Sequence, residues 1–412
     1  MAETRDYSLL VLQDEAHYFD GQRYRSRAIF GYFLDFVARH TGQITVAVPT
    51  THKGEPFGRV LDLPNLTYFE LPYSWSLASY VKLSRSDRRT LKEAAHRLVS
   101  QHDAVMVRLP SLSASVFARE ARQQQKTFVA YVVANILKAA NPLRSSNLLI
   151  RIGARPLARY VHNVTMGMVS QADVALAVGR ELYEFCEGRA PIVRQFIETL
   201  VSEQDLLDRE DSFSGDDPCV LFRAARIDPN KGTEYLLEAV SQLVQRGYDV
   251  RLQLAGDVSD PAYLATLQRW CADHGIDDRV EWLGYVGFGP ELFDAYRRAQ
   301  IGVLSSLSEG FPRFIVEAWS SGLPVVSTDL PGLYPPVEAN ENAVLVEPAS
   351  GRALADGIQR VIDDESLRRR IIKGGESLAR ENTLERQSKL LADLISEAVG
   401  RRRHDPSCVD QP

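Results

Sequence analysis

Unbroken apolar runs alternate along this chain with longer segments in which apolar residues recur at helical spacing. Tyr7–Leu12, Gln43–Val48, Leu66–Phe69, Ala104–Val107, Thr127–Val133 and Val174–Val178 are short, β-rich and apolar on both faces, as strands covered from both sides must be. Between them, Ser26–Arg39, Arg88–Ser100 and Ser113–Gln124 have the length and spacing of helices. A polar loop, Gln13–Arg25, follows the first strand and contains Gly21. The pattern restarts at Cys219–Phe222 and continues through Arg251–Ala255, Val280–Leu283, Ile301–Leu304, Pro324–Ser327 and Ala343–Val346. Two amphipathic helices, Glu365–Leu378 and Leu384–Val399, close it.

Strands alternating with helices predict α/β domains built on parallel sheets, here doubly wound and Rossmann-like. Residues 1–200 make one such domain and 219–380 a second. The acidic stretch 201–218, poor in apolar residues near its end, reads as a linker. The helix at 384–399 is expected to pack back on the first domain, and the tail 401–412 to be disordered.

A chain of 412 residues, 45% hydrophobic and 25% charged, can bury two full cores. No apolar run reaches membrane-spanning length, and the N-terminus lacks a secretory apolar region. Cys186, Cys219, Cys271 and Cys408 are scattered, which predicts a reduced, cytoplasmic protein without structural zinc. The sequons at Asn65 and Asn163 are then chance matches. The net charge of −6 is unevenly spread. Residues 1–200 hold 25 basic and 18 acidic side chains, +7, and the remainder 48 − 25 = 23 and 54 − 18 = 36, −13. No acid occurs between Glu120 and Asp173. A basic half seeks an anionic partner. No feature singles out nucleic acid as that partner.

The densest candidate chemistry lies at Leu304–Ser327. A strand ending at Leu304 runs through a small polar loop into a helix that Pro312 opens and Gly322 ends. Free amides near Arg313, Phe314 and Ile315, with the helix dipole, suit a phosphate. Glu309 and Glu317 are carboxylates beside it; neutral sugar and ribose hydroxyls are the donors that suit them. Local chemistry is equally met by acids complementing a helix dipole. A second cluster follows the strand Val220–Phe222, where the Asp228-Pro229 turn brings Arg226 and Lys231 to one strand-to-helix mouth. Two fixed cations there would stabilise a departing diphosphate; a solvated surface pair is the plain alternative.

The complete strings narrow the choice. Ser306-x-x-Glu309-Gly310-Phe311, Glu317-Ala318 and Ser321-Gly322-x-Pro324-Val325-Val326 resemble the signature of the retaining family-four glycosyltransferases. Arg226…Lys231-Gly232 resembles that family's Arg…Lys-Gly motif. The resemblance is strong over about 219–350 and weak over 1–200. It implies the GT-B fold, two Rossmann-like domains facing across a cleft. It implies transfer of a sugar from a nucleotide-diphosphate donor with retention, by front-face attack in which the leaving phosphate takes the acceptor's proton. Glu309 would hold sugar hydroxyls and favour the cationic transition state. Arg226, Lys231 and the amides of Phe314 and Ile315 would hold the diphosphate beside Gly310, and Glu317 the ribose. Tyr285 and Val286, after Leu283-Gly284, would lie along the base.

Two departures stand in the first half. Gly21 is alone where many members have paired glycines, and Asn135 stands near where many carry a histidine. Asn135 can still hydrogen-bond the donor sugar but cannot act as a base. A catalytically weak GT-B binding partner of another transferase, or a GT-B sugar-nucleotide epimerase, therefore stays open beside the transferase reading. No Asp-x-Asp occurs and the histidines show no ligand spacing, so neither a metal nor another cofactor is expected. Arg151, Arg155 and Arg159 are four apart and would share one helical face, with Pro156 breaking the helix into two short pieces. That face suits an anionic membrane or, equally, solvent. Membrane-associated members of the family use a basic first domain to reach lipid-linked acceptors. The expected acceptor is therefore a saccharide or lipid-linked saccharide, in cell-surface polysaccharide or glycoconjugate synthesis.

Overall fold

The computed structural model describes residues 5–26, 29–52, 59–61, 63–72, 80, 82–134, 148–213 and 218–404. They form two compact units, Met1–Ile197 with Glu385–Pro412, and Glu198–Leu384.

The first unit is built on parallel strands in the order β10-β9-β8-β7-β1-β4-β6. These are β1 (Arg5–Leu12), β4 (Thr41–Thr51), β6 (Leu66–Leu71), β7 (Ala104–Leu109), β8 (Thr127–Val132), β9 (Val174–Val178) and β10 (Ile192–Phe196). Every residue of β8 and β9 is buried, which is why they read as unbroken apolar runs. β10, with its alternating Ile192-Val193-Arg194-Gln195-Phe196, escaped that reading because only its two ends are buried.

The segment after β1 is not a loop. β2 (His17–Phe19) and β3 (Tyr24–Ser26) form an antiparallel hairpin, with β5 (Arg59–Val60) paired to β3, and β2 continues the sheet from Thr50 and Thr51 of β4. Pro156 does not split its helix either. Leu148–Val169 is a single helix, since proline deletes one intrahelical bond while Ala158, Val161, Thr165, Met168 and Val169 stay buried beyond it. The helix Leu384–Arg403 belongs to this unit from Glu385 onward. Tyr7 Oη donates to the Ala392 carbonyl at 3.3 Å. Arg402 pairs with Asp173 at 2.8 Å and Arg403 with Asp103 at 3.0 Å, so the ordered chain runs past 401.

The second unit holds six parallel strands in the order β13-β12-β11-β14-β15-β16. They are β11 (Cys219–Ala224), β12 (Val250–Ala255), β13 (Val280–Gly284), β14 (Ile301–Leu304), β15 (Val325–Thr328) and β16 (Val344–Val346). Leu221, Leu252, Val303 and Val326 of the sheet share a core with Leu236, Val240, Leu354 and Ile358 of the flanking helices. The chain starts in the middle of the sheet, builds to one edge, then returns to β14 beside β11. Strand order therefore reverses between β11 and β14, where open α/β sheets bind ligands at the carboxyl ends of their strands.

The stretch expected as a linker is part of this unit. The Leu207 amide donates to the Ser320 carbonyl at 2.7 Å, and Arg209 reaches the carbonyls of Arg297 and Ala299 at 3.3 Å. Asp211 takes two bonds from Arg368, at 2.6 and 2.9 Å. Its acidity imitates a linker because it supplies the counter-charge of a buried arginine.

Candidate active site

Two loops leave the sheet side by side at the reversal point, one from β11 and one from β14. In the first, Asp228 caps a single 3-10 turn, its carboxylate accepting from the Asn230 amide at 2.9 Å. Gly232 ends the turn at φ +57, and a Cβ there would lie 2.2 Å from the Ser305 carbonyl. Glycine is required on both counts, and its absence of side chain lets the two loops touch. The Leu307 amide donates to the Asn230 carbonyl at 2.8 Å, and Ser305 Oγ to the Lys231 carbonyl at 2.9 Å.

This contact places Lys231 Nζ 2.5 Å from Glu309 Oε1, and Ser306 Oγ donates to the same oxygen at 2.7 Å. Both side chains of the pair are mostly covered, at 16% and 15% exposure. The loop is held from beneath as well: Thr328 Oγ1 donates to the Ser306 carbonyl at 2.7 Å. From a third side Gly332 packs so closely that a Cβ would sit 1.8 Å from the Gly310 carbonyl oxygen. Arg226 behaves differently from Lys231. Its side chain is 66% exposed, with Asp228 at 3.6 Å, so the two cations do not form one equivalent pair.

The Arg313–Ser320 helix opens behind Pro312. The Ile315 amide donates to the Pro312 carbonyl at 3.2 Å and is therefore spent, which corrects its expected role toward phosphate. The amides of Arg313 and Phe314 precede any intrahelical partner. The Phe314 side chain is core, against Gly302 and the Tyr296 ring. Glu317 lies in the middle of this helix and is buried, and its Oε2 accepts from Tyr296 Oη at 2.7 Å. Its Oε1 faces Arg313 at 3.8 Å. Burial, and then the charge and hydrogen bond of Glu317, raise the Tyr296 phenol well above its ordinary pKa.

The remaining expected residues lie elsewhere. Tyr285, 71% exposed, and half-buried Val286 follow β13, two strands from β11. Gly284 adopts φ +68 there, and its carbonyl accepts from the Gly256 amide at 2.7 Å. Gly21 sits at the hairpin tip with φ +97, where Asp20 accepts from the amides of Gln22 and Arg23. Turn geometry explains that glycine, and it follows no strand-to-helix phosphate loop. Asn135 lies outside the described residues. Arg151 and Arg155 fall on the Leu148–Val169 helix, and Arg159 is exposed near exposed Leu157 and Tyr160. Among the described residues no group of three or more His, Cys, Asp or Glu gathers as a metal would need, and no helix is long and apolar enough to cross a membrane.

Sequence reasoning missed Tyr296, Ser305, Gly332 and above all Arg223. Arg223 lies in β11 and is 1% exposed. Its Nη1 donates to the Lys231 carbonyl and to Ser305 Oγ, both at 2.9 Å, and its Nη2 to Thr233 Oγ1 at 2.8 Å. Burial lowers its pKa to about 10, so it is cationic at neutral pH. A lone arginine inside an otherwise apolar strand was the available signal.

Two Rossmann-like α/β units, with the charged pair at the strand-order reversal of the second, define the GT-B class. The crystal structure of Anabaena Alr3699/HepE in complex with UDP superposes with a TM-score of 0.66 over 95% of this chain and 99% of that one, at 18% identity. Residues 205–378 match the family described as glycosyl transferases group 1. Alpha-D-kanosaminyltransferase of Streptomyces kanamyceticus is 30% identical over 185 residues, 44% of this chain and 46% of that protein. D-inositol 3-phosphate glycosyltransferase of Corynebacterium glutamicum is 30% identical over 189 residues, 45% of each. The matched span thus covers less than half the length of these curated relatives.

Proposed function

We propose that this protein transfers a glycosyl group from a nucleoside-diphosphate sugar to a hydroxyl acceptor with retention of configuration. The observation that carries this reading is the Lys231–Glu309 pair at the reversal of strand order, a cation and a carboxylate at one loop junction. The related structures with bound UDP and UDP-glucose support the choice of donor.

In this reading Lys231 turns from Glu309 to the diphosphate, joined by Arg226 and the Arg313 and Phe314 amides. Glu309, released, accepts from sugar hydroxyls and faces the positive charge that grows on the anomeric carbon. The bond from that carbon to the diphosphate oxygen breaks, and the bond to the acceptor oxygen forms on the same face. The acceptor proton passes to the departing phosphate oxygen, so no protein base is needed. Interactions that strengthen as the leaving group gains charge raise turnover rather than affinity alone. Glu317 offers its Oε1 to the ribose, and Tyr285 and Val286 border the base. No metal takes part, because Lys231 and Arg226 supply the positive charge.

The acceptor is a saccharide or lipid-linked saccharide, in polysaccharide or glycoconjugate synthesis. The protein works in the cytoplasm, reaching an anionic membrane surface through Arg151, Arg155 and Arg159. The deciding experiment incubates purified protein with uridine-, guanosine- and adenosine-diphosphate sugars and hydroxyl acceptors, with and without chelator. Expected are turnover of one donor class, a product anomer matching the donor, and no loss with chelator. A donor bound but neither transferred nor hydrolysed would favour a binding partner; failure to bind any of them would overturn the reading.

A further inference from the structure

Arg223 has no place in the mechanism above, yet it touches both loops that build the site. Its guanidinium holds the backbone carbonyl of Lys231, the hydroxyl of Ser305 and the hydroxyl of Thr233 at once. Ser305 Oγ closes the triangle by donating to the same Lys231 carbonyl. No carboxylate bonds the guanidinium among the described residues, and its Nε has no partner. A buried cation without a paired anion is costly, as its lowered pKa records. A neutral side chain would be the cheaper filler for this part of the strand.

What arginine adds is a rigid fork of donors that spans two loops from different strands. Lys231 extends from the carbonyl that Arg223 grips, and Glu309 follows four residues after the Ser305 that it also grips. We propose that Arg223 is a positioning residue, which fixes the Lys231 backbone against Ser305 and so sets where the lysine ammonium can meet a diphosphate. This inference rests on the reading of the site as a nucleoside-diphosphate site. Arg223 itself, fully covered by both loops, does not touch the ligand.

The test pairs two measurements on the full chain. In the free protein, amide hydrogen exchange is followed at Lys231, whose amide donates to the Asp228 carbonyl, and at Leu307, whose amide donates to the Asn230 carbonyl. Arg223→Met should speed exchange at both by about tenfold or more relative to Leu252 in the sheet core, the loss of one or two hydrogen bonds. Arg223→Lys, with charge but no fork, should fall between. Second, UDP, GDP, ADP and the matching monophosphates are titrated calorimetrically. For the diphosphate that binds, Arg223→Met should weaken affinity about tenfold, leave the monophosphate nearly unchanged, and add little in a Lys231→Met background. Should Arg223→Met fail to fold, Ser305→Ala and Thr233→Val remove its partners singly and should give smaller shifts of the same pattern.

Unchanged exchange at Lys231 and Leu307 would overturn the proposal. So would equal losses for di- and monophosphate, or effects additive with Lys231→Met. If the wild type binds none of the nucleotides, the functional reading falls and the exchange data alone decide for or against Arg223 as the pin between the loops.

Discussion

Tyr296→Phe isolates a single oxygen. The tyrosine is wholly buried among Phe222, Phe293 and Phe314, so phenylalanine fills the same space and leaves no cavity. What disappears is the 2.7 Å bond to Glu317 Oε2. A hydrogen bond to a charged group contributes about 1.5–3 kcal/mol. Glu317 keeps only Arg313, at 3.8 Å and with the arginine 36% exposed, a contact of about 0–1 kcal/mol once solvent screening is allowed for. The expected cost is therefore about 2 kcal/mol. In a unit the size of 198–384, each kcal/mol lowers Tm by about 2–4 °C, so the variant should melt about 4–8 °C lower. Thermal unfolding followed by circular dichroism measures this. Tyr296→Phe combined with Glu317→Leu should recover part of the loss, because both polar partners are then gone. A single variant melting within about 1 °C of wild type would refute the account of Glu317 as a carboxylate held in the core by Tyr296.

Lys231→Met and Glu309→Gln should each lower turnover by on the order of 10²-fold. In urea titrations each should also cost about 1–3 kcal/mol, while the double variant regains stability but not turnover. Gly332→Ala should displace the Gly310 carbonyl and with it Glu309, so turnover should fall further than the melting temperature would explain. Burial alone would raise the Asp211 carboxyl, but hydrogen bonds from Arg368 and the Phe213 amide, with the charge of Arg368, hold it below the usual range. Its contribution to stability is present above the unfolded value near 3.9, roughly, and is lost as pH falls through the lower folded value, so urea midpoints should drop below about pH 4 and Asp211→Asn should flatten that drop. In sedimentation with anionic vesicles at low salt, wild type should pellet, added salt should release it, and changing Arg151, Arg155 and Arg159 to Gln should weaken it.

The strands of the second unit were legible almost to the residue, because each is a short apolar-rich run bounded by turn residues, and β14 and β15 are buried throughout. The same property hid Arg223: a strand read by its apolar neighbours gives no hint of what a buried cation will hold. β2, β3 and β5 were missed because strands of two or three residues with polar positions carry no periodic signal. The 201–218 stretch misled for an electrostatic reason. An acid such as Asp211 that pairs with Arg368, and a chain that packs by backbone bonds, look by composition alone like a solvated connection. Glu309, Lys231 and Gly310 were singled out through the resemblance of two separate motifs, but the contact between the loops that carry them was not read from the sequence. Neither were the burial of Glu317 and the spent Ile315 amide, because both depend on where the helix begins and which face it turns inward.

The pairing of Lys231 with Glu309 follows from three separate constraints. Topology comes first: a sheet that starts at its centre must bring β14 back beside β11, so the loops after them leave from adjacent positions at the same edge. Adjacency of strands alone leaves loops several ångströms apart. Gly232 removes that gap, since any side chain at φ +57 there would strike the Ser305 carbonyl. Gly332 then presses the Glu309 loop from its far side, where no Cβ fits against Gly310. With both glycines in place, the backbone bond from Leu307 to Asn230 and the bond from the Ser305 hydroxyl to the Lys231 carbonyl can close. Two residues 78 positions apart in the chain then meet at 2.5 Å. The charged pair is thus a consequence of backbone contact, and either glycine replaced by alanine should part it without touching a single charge.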